Sequence, residues 1–508
     1  MQVTTEAVLD AADLQLVLAP RDGLILEATD ADAAVAAVAA FTQAEGPLRH
    51  YRRTVTTSPA PADLHHVTQT VEFSLRLPYF SALFTLPLRW ALGPVRPRSA
   101  QPWWAPPQRL DRRGAEVLAT LCALGVLVGY VGSLLAITMT YAASEFGASR
   151  GAQGVALGVV RANVVLALGI LVLADRRGRR RLILACAAGA VVLTALGAVA
   201  PSLIWLVATQ IVAVALTAAL LVLVGVMAAE EMPPGSRAWA LAVLTMTVGL
   251  GGGLATAALP LAGLGTRDWR ILFAGALVLV PLVVSTRRHL PESKRWQQPL
   301  PGATPQRSTA QHTRRLALLC AGGFLFALFV TPSSQFQNEF LRTERAFSAT
   351  RISVFSLFCG TIGGVGVLLG GRLADLRGRR LVAAVGAGGG IITTVAMFAS
   401  RGWPLWAWGV ADSILGYAVA PALGVYGPEL FPTWQRSRST GLVGLAYAAG
   451  GVVGLVAAGA LSDRFGTFAP AFAVLAIGPA ILVALIIWAY PETAQRTLEE
   501  LNPEGPAP

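Results

Sequence analysis

From Val117 onward the chain is a series of apolar runs separated by short polar turns. Each run is long enough to cross about 30 Å of hydrocarbon, which takes roughly 20 helical residues. The runs are Val117 to Tyr141, Gly151 to Ala174, Leu182 to Ala200, Leu203 to Ala229, Ala238 to Gly263 and Trp269 to Thr286, then Leu316 to Gln337, Ile352 to Gly371, Leu381 to Ser400, Trp403 to Gly427, Thr440 to Leu461 and Phe468 to Tyr490. They predict twelve membrane helices, the third and fourth parted only by Pro201-Ser202.

Before Val117 the pattern changes. Val67, Val71, Phe73, Leu75 and Leu77 alternate with Thr68, Thr70, Glu72, Ser74 and Arg76, the period-two signature of a half-buried strand. Leu14 to Ala19 and Leu24 to Glu27 read as further short strands, and Asp30 to Gln43 as an Ala-rich helix with Asp30 at its N-cap. Tyr79 to Leu92 is apolar but too short to span: it either lies on the bilayer surface or completes the core of the small domain, and Pro87 favours the second because it breaks a surface helix. The fold class is therefore an all-α membrane protein with twelve transmembrane helices, preceded by a small cytosolic α+β domain. The expected division is an N-terminal domain (1–93), a Pro/Trp linker (94–114), a first six-helix half (115–286), a basic central linker (287–315), a second half (316–490) and a tail (491–508).

Composition agrees. At 508 residues the chain is 54% hydrophobic and only 13% charged, too apolar for an ordinary soluble protein. The net charge of +12 could suggest a nucleic-acid binder, but such a groove needs its cations on one solvated face, and here most arginines sit at the ends of apolar runs. Arg176, Arg177, Arg179 to Arg181, Arg287, Arg288, Lys294, Arg295, Arg314, Arg315, Arg377, Arg379, Arg380, Arg436 and Arg438 fall on one side, which the positive-inside rule makes cytosolic. The opposite loops hold a thinner scatter, including Arg267, Arg270, Arg342 and Arg345. Twelve spans put both termini in the cytosol. Cys122, Cys186, Cys320 and Cys359 are isolated in apolar segments, so neither disulfides nor a metal is expected, and no nucleotide loop, nucleophile with a base or other cofactor motif is present.

The polar turns repeat. Leu171-Val-Leu-Ala-Asp175-Arg176-Arg177-Gly178-Arg179-Arg180 matches Gly371-Arg-Leu-Ala-Asp375-Leu-Arg377-Gly378-Arg379-Arg380, 200 residues later, and Pro291-Glu292-Ser293 matches Pro491-Glu492-Thr493 at the same offset. Glu230-Glu231 and Arg237 answer Glu429 and Arg436 to within a residue. A period this long marks a duplicated half.

With its two Asp-x-x-Gly-Arg-Arg turns and its Pro-Glu-Ser/Thr endings, the stretch from Ala115 to Leu501 resembles the major facilitator superfamily, in the branch of sugar porters and organic-ion (metabolite:proton) symporters. The resemblance implies two six-helix halves that rock about a midplane site, with a cytosolic gate built from Asp175, Arg176, Gly178, Arg179, Gly371, Asp375, Gly378, Arg379, Glu230, Glu231, Arg237, Glu292, Arg295, Glu429, Arg436 and Glu492. It sets Asp175 against the loop of Glu429, Arg436 and Arg438, and Asp375 against that of Glu230, Glu231 and Arg237. It leaves Arg180, Arg181 and Arg380 to topology alone. Leu171 stands where the second copy has Gly371, which implies a looser contact in the first. The fourth span carries Ala208-Thr209-Gln210-Ile211 where many relatives place an arginine.

Two ionisable residues lie near mid-span, Arg161 and Asp412, roughly 13 to 15 Å from the outer surface. Such charges are expensive in a bilayer and usually serve a function, which makes them candidates for coupling or substrate contact, with Gln335 and Asn338 of the seventh span beside them. Either Asp412 couples protons, with Arg161 its counter-ion or an anion anchor, or both are satisfied locally. The expected protein is a monomeric, non-enzymatic secondary transporter of a small organic solute in the cytoplasmic membrane, coupled to protons, whose partners are lipid, solute and proton but no nucleic acid. The alternative is a non-transporting sensor or scaffold that keeps the fold.

Overall fold

Residues 2–74 build an antiparallel sheet because their strands alternate inward apolar with outward polar side chains. Strands β1 (Gln2–Leu9), β2 (Leu26–Thr29), β3 (Ala39–Glu45), β4 (His50–Ala60) and β5 (Leu64–Ser74) pair in the order β1-β5-β4-β3-β2. The outward face is rich in threonine, with Thr54, Thr56, Thr68 and Thr70 along the central pair. The inward face carries Tyr51, Val55, Val67, Val71 and Phe73, and helices α1 (Ala11–Leu18) and α2 (Ser81–Leu92) contribute Val17, Leu88 and Leu92 to the same core. The computed structural model describes residues 1–30, 38–61, 64–75, 77–95, 102–148, 160, 163–263, 265–292, 310–347, 349–432 and 435–501. The chain divides into two compact units, Met1–Leu121 and Cys122–Pro508.

Three local expectations are corrected in the first unit. Residues Leu14 to Leu18 are helical, because the Asp10 carboxylate accepts the Asp13 N–H at 2.8 Å and caps α1. Residues 39–45, expected at the end of a helix, form strand β3 between β2 and β4, where Phe41 is buried beneath the Arg53 guanidinium, 4.1 Å from its ring centre. Residues 31–37 of that expected helix lie outside the described residues. Pro87 sits inside α2 without ending it: the packing of Phe84, Leu88 and Leu92 outweighs the one lost backbone hydrogen bond.

A polar cluster crosses this small core. Glu27 accepts from Tyr51 Oη (2.6 Å), Arg53 Nε (2.8 Å) and the Arg21 N–H (2.8 Å), so the buried charges of Arg53 and Glu27 neutralise each other. Arg21 and Gln69 then donate to the carbonyls of residues 92–95 and fix the path by which the chain leaves α2.

Among the described residues eleven helices are long and apolar enough to cross a membrane, and the shorter Asn163–Ala174 stands second of these twelve in chain order. The others are Arg112–Met139, Arg179–Val199, Leu203–Glu231, Pro234–Ala258, Trp269–His289, His312–Gln337, Val354–Arg377, Arg379–Ala399, Trp403–Leu430, Arg436–Phe465 and Phe468–Trp488, called below by their ordinal place. Ser202 caps the fourth by accepting from the Trp205 N–H, which settles its boundary with the third. The seventh helix continues to Thr343, so Gln335 lies within it and Gln337 and Asn338 do not end it; the Asn338 side chain lies outside the described residues.

Among the described residues the halves meet chiefly along two helix pairs, the fifth against the eighth and the second against the eleventh. At the first contact a Cβ on Gly371 would sit 2.6 Å from Ala242 Cβ and 2.7 Å from the Ala238 carbonyl oxygen. At the second the absent side chain is on the other helix: a Cβ on Gly441 would meet Leu171 Cδ1 at 2.6 Å. The looser contact expected from Leu171 is therefore not what forms, because Gly441 makes room for it and Leu171 is buried.

Candidate functional site

Both motif turns are built alike. Gly178 and Gly378 take positive φ angles of 92° and 107° and start the third and ninth helices. Glu292 accepts the first N–H groups of the third helix, from Arg179 and Arg180, each at 3.1 Å; Glu492 does so for the ninth, from Arg379 (2.9 Å) and Arg380 (3.2 Å). A carboxylate at a helix N-terminus meets both the orphan donors and the positive end of the dipole. Glycine serves twice at 378, since a Cβ there would lie 2.7 Å from Glu492 Oε2. Arg180 and Arg380, expected to serve topology alone, also fasten these turns: Arg180 donates to the carbonyls of Leu290 and Arg287, and Arg380 to those of Ile486 and Ile487.

Inward from the turns lies a buried charge network that repeats in both halves. Arg179 pairs with Glu230 within the first half, and Arg436 reaches the same glutamate from the second. In the mirror arrangement Arg379 pairs with Glu429 at 2.9 Å within the second half, and Arg237 reaches it from the first at 3.4 Å. Each glutamate thus holds one arginine of its own half and one of the other, and Glu231 is buried beside Glu230. Asp375 adds a third cross-half tie, accepting the N–H groups of Ala238 (3.2 Å) and Trp239 (2.8 Å) at the start of the fifth helix while Arg379 lies 3.0 Å away. The expected facing of Asp375 toward the loop of Arg237 is what the geometry has. The side chains of Asp175 and Arg176 lie outside the described residues, as does Arg295.

The chain beyond the twelfth helix joins this face. Gln495 donates to the Asp375 carbonyl at 2.6 Å, and Arg237 donates to that of Arg496 at 3.1 Å, so the tail touches both halves.

At the opposite end the polar ties run within each half and again repeat. Glu145 accepts from Trp269 Nε1 (2.7 Å) and Arg270, and Arg270 donates on to the carbonyls of Ala198 and Ala200. In the second half Glu344 accepts the Phe468 N–H (2.7 Å), and Arg345 donates to the carbonyls of Phe398 and Ser400. Hydrogen bonds from Arg270, seconded by that from Trp269, hold the Glu145 carboxyl below its ordinary range. Arg270 and Arg345, read in the sequence only as scatter, are clamps.

Asp412 accepts from the hydroxyls of Thr393 (3.2 Å) and Thr394 on the ninth helix. Its local partners are thus on a neighbouring helix of the same half. Arg161 lies outside the described residues, and Gln335 is exposed on the seventh helix.

Among the described residues, eleven membrane-length helices and the shorter Asn163–Ala174 fall in two repeated halves, fastened across the middle at one end by shared ion pairs, and define the class of multi-pass transporter-fold membrane proteins. The major facilitator superfamily model matches residues 121–408 and 316–507, and the chain belongs to that family. The sequence has no significant match among curated proteins. Among solved structures, a proton:xylose symporter of this superfamily, XylE, is similar at 16% identity and TM-score 0.64, covering 76% of this chain and 98% of that one. The human organic anion transporter MFSD10 (TETRAN) is similar at 16% identity and TM-score 0.62, covering 74% and 99%. The E. coli fucose:proton symporter FucP gives 13% identity and TM-score 0.61, covering 75% and 100%.

Proposed function

We propose that the protein is a secondary active transporter that carries a small organic solute across the cytoplasmic membrane by alternating access, working as a monomer and coupled to protons. The observation that carries the reading is the shared glutamate pair: Glu230 and Glu429 each bind one arginine from either half, so the halves can part at this end while each carboxylate keeps its own-half cation. Fixed ties at the other end within each half leave two rigid bodies to rock. The motif end is cytosolic by its arginine density, as are both termini and the N-terminal domain. Asp175, Arg176 and Arg295 belong to the same gate by the repeat.

For coupling, Asp412 is the candidate carboxylate, since an intramembrane acid whose partners are hydroxyls can exist with or without its proton. Arg161 is its counter-ion or the anchor of an anionic solute, and Gln335 and Asn338 lie on the solute path. The test is flux into proteoliposomes for pentoses, hexoses and organic anions, with and without a pH gradient. Accumulation of one class driven by the gradient supports the reading; no flux for any, from protein proven folded and inserted, supports a sensor that retains the fold. Asp412→Asn should lose accumulation yet keep exchange, and normal gradient-driven accumulation in that variant removes Asp412 from coupling. Loss of solute binding in Arg161→Gln favours the anchor.

A further inference from the structure

Helix α2 is apolar on both faces. One face, with Phe84, Leu88 and Leu92, closes the core of the N-terminal domain. On the other, Leu83 is 67% exposed, Leu86 51% and Trp90 66%, with Ala82 and Arg89 also exposed. Positions 82, 83, 86, 89 and 90 follow the helical repeat, so they form one stripe about 10 Å long from Leu83 to Trp90. A soluble domain does not normally leave such a stripe in water.

Charge and connectivity indicate what covers it. Residues 1–75 carry four arginines against ten acids, whereas residues 76–113 carry seven arginines against one acid, Asp111. The domain is therefore acidic except for its C-terminal part, which is basic and holds the apolar stripe. Only 19 residues separate Leu92 from Arg112, where the first membrane span begins, so the stripe stays within roughly 60 Å of a bilayer. An apolar helix face with a tryptophan at one end, a neighbouring arginine able to extend to phosphate, and a basic flank suits the interfacial layer of an anionic membrane.

We propose that the outer face of α2 is a membrane-surface contact, seating the N-terminal domain on the anionic headgroups of the bilayer that the transporter itself spans. The stripe enters the interface with Arg89 at phosphate level, and the threonine face of the sheet remains in water. The contact depends on membrane embedding and charge, not on the transport reading.

The experiment uses the full chain in nanodiscs. An environment-sensitive fluorophore is placed on Leu86→Cys, and on Thr56→Cys of the sheet's outward face as control, with identically treated unaltered protein giving the background from the four native cysteines. The label at 86 should emit at shorter wavelength in phosphatidylcholine/phosphatidylglycerol discs and be quenched by lipids bearing a shallow nitroxide, while the label at 56 is not. Adding Arg89→Glu, or omitting phosphatidylglycerol, should weaken the quenching. Emission at 86 matching that at 56 overturns the proposal. So does a blue-shifted label that lipid nitroxides fail to quench, since a protein surface would then cover the stripe.

Discussion

At the scale of single residues, Asp375 joins two jobs: it caps the fifth helix across the interface, most strongly as a carboxylate, and as a carboxylate it balances Arg379. Hydrogen bonds to a charged group are worth about 1.5–3 kcal/mol, so Asp375→Asn should shift the resting population away from the closed motif end by roughly ten- to hundredfold. Thiol-reagent access to a cysteine placed on that face measures it, and unchanged access with normal transport rules the role out. Glu145 gives a pH test. Its carboxyl is depressed by Arg270, so the clamp's contribution is present above the ordinary value near 4.5 and is lost as pH falls through the lower folded value. Protection factors at residues 142–146, corrected for the intrinsic exchange rate at each pH, should fall in that acid window, and Glu145→Gln should abolish that change in protection. The repeat made Asp375 and its partners legible in the sequence. Arg270 and Arg345 were not, because an arginine at a loop end looks the same whether it meets water or a pair of carbonyls.

Among elements, the third and ninth helices begin at glycines whose φ no other residue adopts cheaply. Gly378→Ala should destabilise the fold by about 1–3 kcal/mol from backbone strain, with loss of the Glu492 cap added, and lower the melting temperature in detergent. A melting temperature equal to that of the parent would show that the turn relaxes freely. The eleven membrane-length helices among the described residues were readable because bilayer thickness leaves little choice of length. The small domain was less so: Leu14 to Leu18 can serve strand or helix, and the Asp10 cap decides, while residues 39–45 become a strand only because β2 and β4 flank them. The exchange of small residues between Gly371 and Gly441 was invisible for a related reason. Reading one helix cannot show which of two facing helices gives way.

Over the whole molecule, alternating access as proposed makes the two glutamate hubs bear on one equilibrium, closed or open at the motif end. Removing one member of a buried pair costs about 3–5 kcal/mol in the state that buries it, so Glu230→Gln and Glu429→Gln should each favour opening. Once either has opened the gate, the second has less left to change, and the double variant should fall short of the sum in thiol access; full additivity would mean the hubs act separately. Opening also has an asymmetry set by which contacts cross the interface. Glu230 retains Arg179 and Glu429 retains Arg379, whereas Arg436 and Arg237 leave their cross-half carboxylates behind. The parted mouth therefore exposes charges of both signs, since Glu231 and Asp375 belong to the same network as Arg436 and Arg237, and dissolved salt favours that conformer by screening them. Ionic strength would then tune the turnover of a carrier whose cargo need not be charged at all.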